Sequence, residues 1–255
     1  MSLPEAIIPC ARIVEKGDPA RFRTVMAAPL AARAVLFPLY ALNVEVSRAP
    51  WVTQEAMIAE MRLQWWRDAL EEMANGGPVR KHEVTTPLAD LLTPAQARML
   101  DECAAARRWD IYRDAFEDAA HLEAYIDQTA GHLMWTACAL LGAAPASEQA
   151  VRDLAHGAGI AAFLRAVPAL VDAKRIPLLD GTDAGVMALA RRGRERLRRP
   201  AMAKGARPAL WPAIGAGKTL DQVIRDPAAV IEGRLDPGVT PFRLATTALS
   251  GRLAL

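Results

Sequence analysis

The sequence predicts an all-α protein. Alanine, leucine and arginine dominate, apolar residues recur at separations of three and four, and runs of β-branched residues are short. Candidate helices cover 19–26, 30–48 and 54–75, where that spacing is sustained, and Asn75-Gly76-Gly77-Pro78 stops the third. Two more follow at 86–92 and 94–108. The next covers 118–141, with Asp118 placed as an N-cap acceptor for the free amides of the helix that carries Tyr125. Gly142 to Pro145 separates it from 147–170, and Asp180-Gly181-Thr182-Asp183 leads into 185–199. Short pieces at 208–214 and 220–225 complete the set. From Lys204 onward proline and glycine become frequent and helical periodicity fades. The expected organisation is one helical domain over 1–203, with 204–255 an irregular extension packed on it.

With 255 residues, 52% hydrophobic and 24% charged, the chain has ample apolar material for a core. A net charge of +2 does not point to a nucleic-acid partner. Cys10, Cys103 and Cys138 form no CxxC pair, which fits reduced thiols better than a zinc site or a disulfide framework. No secretory signal is visible, so the expectation is a bacterial cytoplasmic protein, peripheral on the inner membrane at most. The longest apolar stretches, 133–146 and 157–171, are short or interrupted by Arg165 and Pro168, and neither is expected to span a bilayer.

Few motifs advertise chemistry. Gly215-Ala216-Gly217-Lys218-Thr219 ends like a phosphate-binding loop, but Pro212 stands where that pattern needs glycine and no strand precedes it. His82, His121, His132 and His156 share no ligand spacing on one helix, and they read as surface or satisfied interior residues. The basic run from Arg191 to Arg199 suits an anionic membrane surface or an acidic partner. A solvated helix end is the plainer reading.

Pro29, Arg33 and Leu36-Phe37-Pro38-Leu39-Tyr40-Ala41-Leu42 resemble the Pro…Arg…Leu-Tyr-Ala-Phe helix of squalene and phytoene synthases, which are head-to-head trans-isoprenyl diphosphate synthases. That resemblance implies the isoprenoid (terpenoid) synthase fold, a helical bundle with a central cavity. In active members the helix continues into an Asp-Asp-x-x-Asp cluster, and a second cluster follows an Asn-x-x-Arg segment. Aspartates four apart share a helix face, and two opposed faces hold magnesium ions against a substrate diphosphate. Here Ser47-Arg48 and Trp51 occupy the first cluster. In the second segment Arg165 matches the family arginine, but Ala162 replaces asparagine, and Ala166 and Leu170 replace the aspartates. The resemblance places Asp110, Asp114 and Asp118 between helices, where capping and solvation are the plain reading and a displaced magnesium site the alternative.

One branch of the family, the assembly factors of respiratory complex I, is similar at Ala41-Leu42-Asn43-Val44-Glu45, at Met61-Arg62-Leu63-Gln64-Trp65-Trp66-Arg67 and at the Leu164-Arg165-Ala166-Val167-Pro168 core. Leu122-Glu123-Ala124-Tyr125 with Thr129-Ala130-Gly131 resembles the family's Tyr…Ala-Gly helix, with Met134 where a second glycine is common. The similarity runs from about Asp18 to Leu179. It implies a non-catalytic protein that helps assemble complex I at the membrane, without a cofactor. The alternatives are a magnesium-dependent prenyltransferase and a lipid- or isoprenoid-binding module.

If the fold holds, Tyr40, Asn43 and Ser47 form one stripe and Ala162, Ala166, Ala169 and Leu170 another, both facing a cavity that is either filled by side chains or open to a hydrophobic ligand. The pocket candidates are Tyr40, Asn43, Ser47, Arg48, Arg62, Trp66, Tyr125, Ala162, Arg165 and Ala166. Arg48 and Arg165 would meet a phosphate directly. Trp65 and Trp66 would pack the core under the stem of Arg62, or stack on a ligand.

Overall fold

The structure, a computed structural model, describes residues 3–255; Met1 and Ser2 of the expected first domain lie outside the described residues. It is all helical, with no strand among the described residues. The helices are α1 (Ile8–Gly17), α2 (Pro19–Ala27), α3 (Leu30–Arg48), α4 (Ala56–Ala74), α5 (Thr85–Ala89), α6 (Pro94–Ala106), α7 (Ala119–Ile126), α8 (His132–Leu140), α9 (Glu148–Asp172), α10 (Asp183–Arg196), α11 (Ala216–Arg225), α12 (Ala228–Ile231) and α13 (Pro241–Ser250). They belong to two compact units.

Among the described residues the first unit comprises 3–112, Thr136–Ala143 and Ala203–Ala209. Its centre is α3, which is apolar on nearly every side and therefore buried: Phe37, Leu39 and Ala41 are closed to solvent. Pro29 precedes its first turn, and Pro38 sits inside it at the cost of one backbone hydrogen bond. Around it pack α1, α2 and α5, while α4 pairs with α6. A capping box opens α6: Thr93 accepts from the Gln96 amide while the Gln96 side chain accepts from that of Thr93. Helix α1 was not among the expected elements. It is fixed by Cys10 and Val14, both fully buried.

The second unit comprises Arg113–Trp135, Ala144–Met202 and Leu210–Leu255. Helix α9 runs through it with α10, α11 and α12 against it. The helix expected over 118–141 is present but not uniform, because a π turn at Asp127–Gly131 separates α7 from α8. In that turn, Gly131 lies against the Asp127 carboxylate and the Arg152 guanidinium, and Arg152 binds Asp127 (3.2 Å) and Glu148 (2.8 Å). By length and composition Leu30–Trp51 and Pro145–Asp172 could each cross a membrane, but 61% and 67% of their most apolar windows are buried against the rest of the protein. Both are core helices here.

The segment 204–255 corrects an expectation: it is not irregular but carries α11, α12 and α13. Short helices nucleate poorly alone, so these depend on polar clamps. Asp236 accepts from Arg243 Nη2 (2.8 Å) and from the Gly238 amide (2.9 Å), and Gly215 donates to the Ala254 carbonyl (2.7 Å). The Arg243 hydrogen bonds, only partly opposed by burial, hold the Asp236 carboxyl down at about 2. Since this lies below its ordinary value, the clamp stabilises the fold above the usual carboxylate range and is lost as pH falls from about 4 toward 2. Asp236→Asn is therefore expected to cost about 1–2 kcal/mol near neutral pH. Urea midpoints of variant and wild type should converge near the acid end of that window.

Candidate functional site

In the first unit the end of α3, the turn Ala49–Trp51 and the face of α4 enclose a pocket of about 250 Å³, lined by Glu45, Arg48, Ala49, Val52, Arg62, Trp65, Trp66 and His82. Three sequence candidates, Arg48, Arg62 and Trp66, meet here. Trp66 is buried, while Trp65 is half-buried and meets it edge-on at 4.7 Å between ring centroids. His82 closes the aromatic wall at 5.3 Å from each indole. Its Nδ1 accepts from the Val84 amide (3.1 Å), which leaves Nε2 as the position for a ring proton. The guanidinium over Trp65 belongs to Arg80, at 5.2 Å. Glu72 holds Arg80 in place. Arg62 is exposed and has no partner among the described residues, whereas Arg48 pairs with Glu45 at 3.2 Å. An aromatic floor with two guanidiniums at its mouth suits an anionic group attached to apolar material.

The other candidates lie elsewhere. In the first unit Tyr40 is closed off from solvent, with the Arg21 guanidinium 5.4 Å from its ring. Burial pushes its hydroxyl's pKa up. Asn43 is buried and Ser47 half-buried. In the second unit Tyr125 is buried in an aromatic cluster with Phe116 and Phe163. Ala162, Ala166 and Ala169 form an exposed stripe on α9, and Leu170 is buried. Arg165 turns into its own unit: Nη1 donates to Thr219 Oγ1 at 2.8 Å, and Thr219 in turn donates toward the Gly215 and Asp236 carbonyls. Burial pulls the pKa of Arg165 down, and Asp236 opposes that. The phosphate contact expected of Arg165 would have to compete with this network.

The loop-like Gly215-to-Thr219 segment is spent on the same network. Gly215 takes a left-handed φ of 77° at the start of α11, and Lys218 pairs with Asp236 at 3.5 Å. Of the carboxylates offered for a displaced metal site, Asp118 caps α7 by accepting from the His121 amide (2.8 Å), and Asp110 is buried and accepts from Arg107 (3.3 Å). The positions matching the family's acidic clusters are Ser47, Arg48, Trp51, Ala166 and Leu170. This set does not fit a magnesium cluster, which needs several carboxylate oxygens. Among the described residues no three or more His, Cys, Asp or Glu are grouped to hold a metal ion.

The basic run is partly compensated: Arg192 lies 3.7 Å from Glu123, Arg194 pairs with Asp221 (2.8 Å) and Arg196 with Asp153 (2.9 Å), while Arg191, Arg198 and Arg199 are exposed. His132 is buried and meets Arg152 at 3.0 Å. His156 corrects an expectation, since it is buried with neither ring nitrogen hydrogen-bonded. Burial, reinforced by Arg196, lowers its pKa and favours the neutral ring. The three cysteines are buried thiols, and burial pushes Cys10 and Cys138 up to about 12.

Sequence reasoning missed Glu45, Val52 and His82. His82 comes from the loop after α4, and no spacing in the sequence ties it to Arg48.

Comparison with known proteins agrees with the helical architecture. Residues 14–178 match the family described as Squalene/phytoene synthase. A Drosophila melanogaster protein named as a homolog of NADH dehydrogenase (ubiquinone) complex I assembly factor 6 is 31% identical over 167 residues, covering 62% of this chain and 50% of that protein. The Rattus norvegicus assembly factor 6 is 24% identical over 179 residues, covering 65% of this chain and 50% of that protein. The chain thus spans about half the length of the curated relatives it matches. Among solved structures, a dehydrosqualene synthase in complex with ligand aligns with a TM-score of 0.73 at 15% identity, over 96% of this chain and 95% of that one. A squalene synthase from Alicyclobacillus acidocaldarius aligns with a TM-score of 0.67 at 14% identity, over 86% and 93%. With the family matched across more than half of its residues, the chain belongs to the squalene/phytoene synthase family and has the terpenoid synthase fold of those enzymes.

Proposed function

We propose that this protein is a non-catalytic member of the family that assists the assembly of respiratory complex I at the membrane. The observation that carries the non-catalytic half is the donor set: Ser47, Arg48 and Trp51 in the first segment and Ala166 and Leu170 in the second stand where carboxylates would bind magnesium. Metal-assisted ionisation of a diphosphate has no ligands at those positions. The structural duties of Asp110 and Asp118 weigh against a displaced site. The assembly half is supported by the relatives, which carry the name complex I assembly factor 6.

The two halves are separately testable. Deleting the gene is expected to lower assembled complex I and membrane NADH:quinone oxidoreductase activity, with recovery on re-expression of the full chain. Unchanged levels would remove the assembly role. The purified protein is expected to condense neither farnesyl nor geranylgeranyl diphosphate with magnesium present. A magnesium-dependent product would restore the prenyltransferase reading.

A further inference from the structure

Exposed large apolar side chains are concentrated at one corner of the first unit. Trp51 (40% exposed), Val52 (42%), Met57 (76%), Ile58 (40%) and Met61 (67%) all lie within eleven residues, on the turn before α4 and its first two turns. Met57, Ile58, Met61, Arg62 and Trp65 follow helical spacing and share one face of α4, while Ala59 and Leu63 point into the core. Folding ordinarily buries such side chains, and a contiguous apolar patch on a surface marks an interaction site. The same face carries Arg62, which has no partner among the described residues, and continues into the Arg48, Trp65, Trp66 and His82 pocket. Apolar chains projecting from one face beside guanidiniums and an indole form the layering of a membrane interface: alkyl groups below, Trp and Arg at the depth of the phosphates.

We propose that this corner is a lipid-surface site, in which the phosphate of an anionic phospholipid meets Arg62 and Arg48 at the pocket mouth while Met57, Ile58 and Met61 enter the acyl boundary. It rests on the membrane part of the functional reading and identifies the surface used. The charge balance shapes the expectation. Arg48, Arg62 and Arg108 are matched in number by Glu45, Glu55 and Glu60, with Glu45 on Arg48 and Glu60 on Arg108. Long-range attraction is therefore weak and apolar insertion dominates, with Arg62 supplying the selectivity for phosphate. The basic run of α10 is the poorer membrane surface, because Arg192, Arg194 and Arg196 are already paired to Glu123, Asp221 and Asp153 and residues 183–199 expose no large apolar side chain to insert.

Sedimentation of the full chain with vesicles of phosphatidylcholine, with and without phosphatidylglycerol, tests this. The wild type should bind both, and the anionic vesicles more tightly. Met57→Ser with Met61→Ser should lower the partition coefficient at least tenfold on both. Arg62→Gln should lower it about fivefold on anionic vesicles and little on neutral ones. These side chains are exposed, so unchanged melting temperatures should accompany the losses. Binding that survives the methionine changes, or that is lost instead on Phe242→Ser with Leu249→Ser in α13, would overturn the proposal. So would equal affinity for soluble glycerol phosphate with no uptake on vesicles, which would leave only a free-anion site. Absence of vesicle binding together with capture of an acidic protein through Arg48 and Arg62 would make the corner a protein interface. These readouts do not depend on complex I levels, so failure here and failure of the assembly role are distinguishable.

Discussion

Gly157→Val is expected to lower stability by about 3 kcal/mol, because α9 and α10 touch there backbone to backbone. A Cβ at Gly157 would lie 2.5 Å from the Gly193 carbonyl oxygen and 2.9 Å from Leu197 Cδ1. The carbonyl cannot rotate away as a flexible side chain would, so the helices must separate. Removing a glycine from a helix interior returns about 1 kcal/mol or less of propensity, which is too little to offset the clash. Gly181→Ala is the matched control. Nothing lies within 4 Å of a Cβ there, its φ is not positive, and the change should stay within about 0.5 kcal/mol of wild type. Urea titrations check both, with a lower midpoint and an unchanged m-value expected for Gly157→Val.

Phe163→Ala is expected to cost about 3–5 kcal/mol, the range for deleting a buried aromatic ring. Phe163 is 7% exposed and packs with Phe116 and Tyr125 at centroid distances of 6.0 and 6.3 Å, while those two rings lie 5.5 Å apart. Its loss leaves a cavity walled by two rings held by other segments, which cannot easily collapse. On the exposed side of the same helix, Ala162→Ser and Ala166→Ser should each change stability by less than about 0.5 kcal/mol. Thermal unfolding separates the two faces directly. A large loss at either alanine would mean that the stripe is packed, not open.

The contrast between these faces shows how far the sequence could be read. The bounds of α3 coincide with the expected 30–48, because its apolar residues and the proline before it are local signals. The 118–141 helix was legible as a whole, but its π turn was not, since Gly131, Asp127 and Arg152 meet only once α9 is in place. Helix α1 and helices α12 and α13 went unread for a related reason. Pro9, Pro227, Pro237 and Pro241 punctuate those stretches, and burial of Cys10 and Val14 or the Asp236–Arg243 clamp overrides weak local propensity. Arg48, Arg62 and Trp66, offered by the sequence as pocket candidates, line one pocket, whereas nothing in the sequence joined His82 to them.

The sequence by itself determined the helical class, the family and the replacement of acidic residues at the positions where diphosphate chemistry needs them, because these depend on residue type and local spacing alone. Only the tertiary structure decided where each arginine goes. Arg165 is taken up by Thr219; Arg192, Arg194 and Arg196 are taken up by Glu123, Asp221 and Asp153; and Arg62 is left at the mouth of an aromatic pocket. The physical reason is that a guanidinium's partner is whichever acceptor the packing of distant segments brings within about 3 Å, and no local pattern records that choice.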